Sequence, residues 1–142
     1  MIRWLCVLCG FLVLCSCRQN SGAFHLGTFR DVPKEINAGS FFAETEADLD
    51  KGNYVFVQDY DSLGFFFVDD KMIRSKLTRC IVDSVANTLN EVYEQDGYKI
   101  RLNARYVNDA GDKDYDFEGR ITVENKNGDS VTKHVVGYDL VE

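Results

Sequence analysis

Leu77-Thr78-Arg79-Cys80-Ile81-Val82-Asp83-Ser84-Val85-Ala86-Asn87-Thr88-Leu89-Asn90-Glu91-Val92-Tyr93-Glu94-Gln95 carries its apolar residues at helical spacing. At ~100° per residue, Leu77, Ile81, Val82, Val85, Ala86, Leu89, Val92 and Tyr93 occupy one half of a wheel. Arg79, Asp83, Asn87, Asn90, Glu91 and Glu94 occupy the other, and Gly97 stands where a helix would stop. The spacing predicts an amphipathic helix over residues 77–95. One feature opposes it: Lys71, Arg74, Lys76 and Arg79 lie near the start and Glu91 and Glu94 near the end, against the helix dipole. Asp69 and Asp70 would offset that as caps. If the helix starts elsewhere, residues 72–79 form a strand pairing back on residues 65–68 through Asp69-Asp70-Lys71.

Strand patterns lie on both sides. Upstream, Tyr54-Val55-Phe56-Val57 and Phe65-Phe66-Phe67-Val68 are β-rich runs, and the Asp, Ser and Gly between them suit a hairpin loop. Downstream, Tyr98, Ile100, Leu102, Ala104 and Tyr106 alternate with charged or polar residues, as do Tyr115, Phe117, Gly119, Ile121 and Val123. Both read as antiparallel strands with one wet face. Their register follows from charge: setting Tyr106 opposite Phe117 and Ile100 opposite Val123 also sets Arg105 opposite Glu118 and Lys99 opposite Glu124. A shift by two towards the loop opposes Arg101 to Arg120 instead. Ala104 then lies beside Gly119, leaving a shallow groove for the helix. Asn127-Gly128 marks a further hairpin. An even-length loop there turns Thr132, His134, Val136, Tyr138 and Leu140 inward, and an odd-length loop turns Val131 and Val135 inward. Residues 23–29 suit an early strand, and residues 40–49 a short acidic helix ending near Gly52. The sum is an α+β fold, an antiparallel sheet of about five strands with one long amphipathic helix packed on it. The alternative is a mostly-β sandwich or barrel.

The chain has 142 residues, room for one domain. Its formal charge of −7 disfavours a nucleic-acid binder, which needs a basic surface to meet phosphates. Four of its five cysteines, Cys6, Cys9, Cys15 and Cys17, fall in the first seventeen residues, and Cys80 stands alone in the body. There, Arg3 precedes eleven uncharged residues and then small ones, the layout of a secretory signal peptide. As a helix that run spans roughly 17 Å, short of the ~30 Å hydrocarbon core. Cys-x-x-Cys within a Leu/Val/Phe run lacks the polar turns of a zinc site.

Leu14-Cys15-Ser16-Cys17 resembles the lipobox of bacterial lipoproteins. The resemblance implies cleavage before Cys17, a thioether-linked diacylglycerol on its sulfur and an anchor in the membrane through acyl chains. Arg18 follows, where lipoproteins retained at the inner membrane carry Asp, so the resemblance points to the outer membrane, facing the periplasm. The expected organisation is a signal peptide at residues 1–16, lipidated Cys17 and a polar tether at 17–22, and a single domain at 23–142. The mature chain keeps fifteen Lys and Arg against twenty-three Asp and Glu, a charge of −8. Anionic head groups would repel such a body, holding it off the bilayer. No intrachain disulfide is expected.

Few residues suggest chemistry. The acids at Asp112, Asp114, Asp116 and Glu118 alternate like a calcium loop, but Phe117 and Val123 stand where such a loop needs Gly and Glu. Asp109, Asp112 and Asp114 remain the candidate ion ligands. His134 and Cys80 read as packing residues, and no nucleophile, Walker or dinucleotide motif occurs. Catalytic residues and cofactors are therefore expected to be none. Consecutive strand residues point to opposite faces, so Phe65, Phe66 and Phe67 need either a second layer or an exposed Phe66. In the second case Tyr54, Phe56, Tyr60 and Phe66, with Lys71 and Arg74 alongside, form a binding surface. The expected function is a non-enzymatic binding or envelope-assembly module with a protein partner in the cell envelope. An immunity or inhibitor protein, and a small hydrolase or ion-binding protein, are the alternatives.

Overall fold

Residues 77–95 form two strands and a turn. In the computed structural model, which describes residues 24–140, the elements are β1 (Leu26–Gly27), β2 (Gly39–Ala43), α1 (Glu46–Asp50), β3 (Phe56–Asp59), β4 (Leu63–Val68), β5 (Lys71–Asp83), β6 (Thr88–Gln95), β7 (Tyr98–Tyr106), β8 (Phe117–Glu124) and β9 (Ser130–Leu140). The expected signal segment, Cys17 and the tether lie outside the described residues. β2 to β9 follow one another as antiparallel neighbours, and β9 pairs back on β2. The result is a closed eight-stranded up-and-down barrel. The expected α+β sheet with a long helix is thereby corrected, and α1 is a single five-residue turn of helix.

A bulge hides the strand alternation in residues 77–95. β5 slips by one residue between Leu77 and Arg79, so its inward positions there run Leu77, Cys80, Val82 instead of every second residue. Four turn residues then separate Asp83 from Thr88, and Leu89, Glu91 and Tyr93 resume the inward set on β6. Ile81 and Val92 face outward, Val85 and Ala86 lie in the turn, and inward Glu91 is polar, so the apparent helical stripe mixes both faces of a hairpin with its turn. Asp69 and Asp70 are not helix caps: with φ of 47° and 63° they form the tight turn from β4 to β5. The strand alternative for residues 72–79 is the one found, with Phe65 opposite Arg74 and Phe67 opposite Met72. The expected β7–β8 register is also found, from Lys99 opposite Glu124 to Tyr106 opposite Phe117, with Ala104 beside Gly119. No helix fills that groove. The β8–β9 loop is odd, and Val135 points inward at 0% exposure.

Two cores share one wall. Phe42, Phe56, Phe66, Tyr93, Ile100, Leu102, Ile121, Val123 and Val135 fill the barrel. Phe42 packs on Phe56 and Phe117, and Phe56 meets Tyr93 edge-on at 5.2 Å. Outside β2, β3, β4 and β9, the segments on either side of β2, residues 29–38 and 44–54, lay down a second layer. There Phe29, Ile36 and Leu49 cover Phe41, Val57, Phe65 and Val136. Thr45 caps α1 by accepting from Asp48 N at 3.1 Å, and Phe29 and Tyr54 exchange two backbone hydrogen bonds of 2.8 Å. Phe66 is thus inside the barrel and Phe65 under the second layer. The remaining wall, β5 to β8, turns charged residues outward. An apolar interior with a charged exterior is the reverse of a membrane-spanning barrel.

The barrel has distinct ends. The chain arrives at the base, where Phe24 meets Tyr98 edge-on at 5.8 Å and His25 exchanges hydrogen bonds with Asp69. The loops β3–β4, β5–β6 and β7–β8 surround the opposite end, the mouth.

Candidate functional site

The residues expected to form one binding surface are dispersed. Phe56 and Phe66 are fully buried in the barrel, and Tyr54 is buried in the outer layer with its hydroxyl 2.9 Å from that of Tyr138. None of these three can meet a partner, so the aromatic-hairpin surface is corrected. Tyr60 is 53% exposed at the mouth, and Lys71 is exposed at the base. Arg74 projects outward from β5 and pairs with Glu35 of the outer layer at 3.7 Å.

Other expected residues face solvent. Cys80, read as helix packing, stands on the inward side of β5 but is exposed at the open mouth, the one cysteine among the described residues. His134 faces outward on β9, 3.2 Å from Glu118. Asp109, Asp112 and Asp114 are exposed in the β7–β8 loop, where Asn108 Oδ1 accepts from Lys113 N. Among the described residues no three His, Cys, Asp or Glu side chains are grouped to hold a metal.

The mouth has a polar floor that sequence reading missed. Tyr93 Oη lies within hydrogen-bonding distance of Gln58 Oε1 and Glu91 Oε2, the latter at 2.9 Å, and Cys80 Sγ lies 3.9 Å from Glu91 Oε1. Ser40 Oγ donates to Asp139, and Asp139 N donates to Asp116 Oδ2 at 3.2 Å. Burial raises the Glu91 carboxyl above the usual carboxylate range, against the hydrogen bonds from Tyr93, Cys80 and Gln58. Asp139 is raised by burial too. Around this floor stand Tyr60, Ile81, Val82, Val85, Tyr106 and Leu140, the large apolar side chains most exposed among the described residues.

The open wall carries a different chemistry. Cross-strand neighbours form a row Arg79–Val92–Arg101, and beside it a row Ile81–Asn90–Asn103–Arg120. Along the strands this sets Lys76 and Arg79 on one side of β6, and Lys99, Arg101 and Arg105 on the other. The outward residues of β6 floor the groove between them. One hollow of about 340 Å³ is bounded by Thr78, Arg79, Val92, Glu94, Lys99 and Arg101. A second, of about 210 Å³, continues it past Ile81, Asn90 and Asn103. Lys99 pairs with Glu94 at 3.4 Å and Arg101 with Glu124 at 3.7 Å. Arg79, Arg105 and Arg120 belong to none of the ion pairs among the described residues. Read in sequence, Lys99, Arg101 and Arg105 were only the wet side of a strand. Their convergence with Lys76 and Arg79 depends on residues 77–95 being strands.

In comparison with known proteins, no family model, no curated protein and no solved structure matches the chain.

Proposed function

We propose that this chain is a small non-enzymatic binding module, anchored on the bacterial envelope through acyl chains on Cys17, that recognises an acidic protein partner. The observation that carries the reading is the groove along β6 with cationic side chains on both walls. On a chain of net charge −7, a basic wall selects and orients an acidic partner more than it adds raw affinity. The anchor reading is supported by Leu14-Cys15-Ser16-Cys17, and it agrees with a chain that arrives at the base, opposite the mouth.

Pull-down from detergent-solubilised envelope tests it, using the full chain and its Arg101→Glu, Arg105→Glu variant. A partner that the native chain retains, and that both the variant and raised salt release at least tenfold, supports the reading. Equal recovery by both chains, or no recovery by either, overturns it. The exposed Asp109, Asp112 and Asp114 of the β7–β8 loop at the mouth favour one other reading, an inhibitor that covers a basic active site.

A further inference from the structure

β5 is thirteen residues long, yet β4 pairs only with its first part, from Lys71 to Lys76. Leu77 N still reaches Ser62 O at 2.7 Å, and beyond it residues 79–83 pair with β6 alone. Open edges are usually blunted by Lys, Pro, a bulge or a covering loop. The bulge of β5 lies below this segment, between Leu77 and Arg79, and the segment contains neither Lys nor Pro. Ile81 is 46% exposed and Val82 67%.

We propose that this edge pairs antiparallel with the same edge of a second copy, around a two-fold axis at Ile81. Directly opposed residues of an antiparallel pair share a face. With Ile81 opposite the partner's Ile81, Arg79 lies opposite the partner's Asp83, and the symmetry makes this ion pair twice. Asp83 Oδ1 already accepts from Val85 N and Ala86 N, which leaves Oδ2 for the arginine. Centring the pair on Cys80 instead puts Arg79 opposite the partner's Ile81 and loses both ion pairs. Charge therefore selects the register and makes the chain its own best complement.

The ladder ends where Leu77 N is already held by Ser62 O, and there the β5–β6 turn with its exposed Val85 meets the partner's β3–β4 loop, which carries the exposed Tyr60. The pairing thus covers Val85, the most exposed of the large apolar residues at 95%, along with Ile81 and Val82. The two-fold reverses the barrel axis, so the two bases lie at opposite ends of the pair, and copies tethered to one membrane meet with their barrel axes along its surface. The ladder is short, below the ~1,200 Å² of stable interfaces, so the association is reversible and cross-linking is the apt readout.

The full chain carrying Ile81→Cys and Cys80→Ser is expressed in cells and mildly oxidised. The expected product on a non-reducing gel is a disulfide-linked dimer. Arg79→Asp in that background is expected to reduce it at least tenfold. Co-expression with a chain carrying Asp83→Arg and the same cysteine exchange is expected to restore it. Three results would each overturn the proposal: no dimer from a chain that accumulates normally, a dimer indifferent to Arg79→Asp, or a dimer through Cys80 in the unsubstituted chain.

Discussion

Tyr93 Oη lies 2.9 Å from Glu91 Oε2, two positions back on the same strand, and it also faces Gln58 Oε1. One hydroxyl proton cannot serve both oxygens. Either Gln58 turns its amide nitrogen to the phenol, or Glu91 is protonated and donates. The raised Glu91 pKa, caused first by burial, agrees with the protonated form. Tyr93 and Gln58 tie β6 to β3 across the barrel, so the pair links the polar floor to the closure of the fold.

A carboxyl whose folded pKa is raised contributes stability that is complete below its unfolded value, near 4.5. That contribution is lost as pH rises through the folded value. The denaturation midpoint is therefore expected to fall as pH rises above about 4.5. Glu91→Gln keeps the hydrogen-bonding shape without the charge. It is expected to flatten that fall and to stabilise the barrel at neutral pH by about 1 kcal/mol. Asp139, raised by burial as well, retains part of the slope. Urea titrations of both chains at several pH values measure it, and an unchanged slope in Glu91→Gln would refute it.

Gly64 sits inside β4 where a Cβ would come 2.6 Å from Phe56 Cζ and 2.9 Å from Tyr93 Cδ1. Both rings are fully enclosed and cannot swing into solvent. Gly64→Ala is expected to destabilise by about 1–3 kcal/mol through overpacking. Its loss should appear as a lower denaturant midpoint with little change in slope.

Phe66 and Tyr60 separate packing from exposure. Phe66→Ala empties a site in the barrel core and is expected to cost about 3–5 kcal/mol. Tyr60 is 53% exposed, and its one hydrogen bond, to Leu140 O, is 3.2 Å long. Tyr60→Ala should stay within about 1 kcal/mol. Equal losses in thermal unfolding would contradict the assignment of Phe66 to the interior.

How much of this was legible depended on where the local pattern stayed regular. The β7–β8 register could be read because it pairs Arg105 with Glu118 and Lys99 with Glu124, a shift by two towards the loop opposes Arg101 to Arg120, and no bulge interrupts either strand. Phe65-Phe66-Phe67 was correctly seen to need two faces, but residues 29–38 and 44–54 cover one of them as an irregular layer with no period to read. In β5 the bulge near Thr78 broke the alternation that identifies a strand, and the misreading then hid the basic groove. Two signals pointed the other way. The charges opposed a helix dipole, and Thr78, Ile81, Val82, Val85, Thr88 and Val92 are β-branched, which suits a strand. Glu91 gave no such signal, because burial of a lone carboxyl becomes visible only when the barrel closes.

Asp83 tests the reading of residues 77–95 by sign. In the hairpin its Oδ1 accepts from Val85 N at 2.9 Å and Ala86 N at 3.0 Å, closing the turn between β5 and β6. Asp83→Ala leaves those two amides to water and is expected to destabilise by about 1 kcal/mol. Were the segment a helix, the same exchange on an exposed mid-helix face would stabilise it by a few tenths of a kcal/mol, since Ala has the higher helix propensity. Asn87, at φ 54°, adds a second discriminator. Asn87→Gly relieves a left-handed conformation in the turn and should be neutral or stabilising, whereas in a helix interior it would cost a few tenths of a kcal/mol. Denaturation at protein concentrations low enough to keep the chain monomeric measures both. A stabilising Asp83→Ala together with a destabilising Asn87→Gly would restore the helix and dissolve the groove along β6.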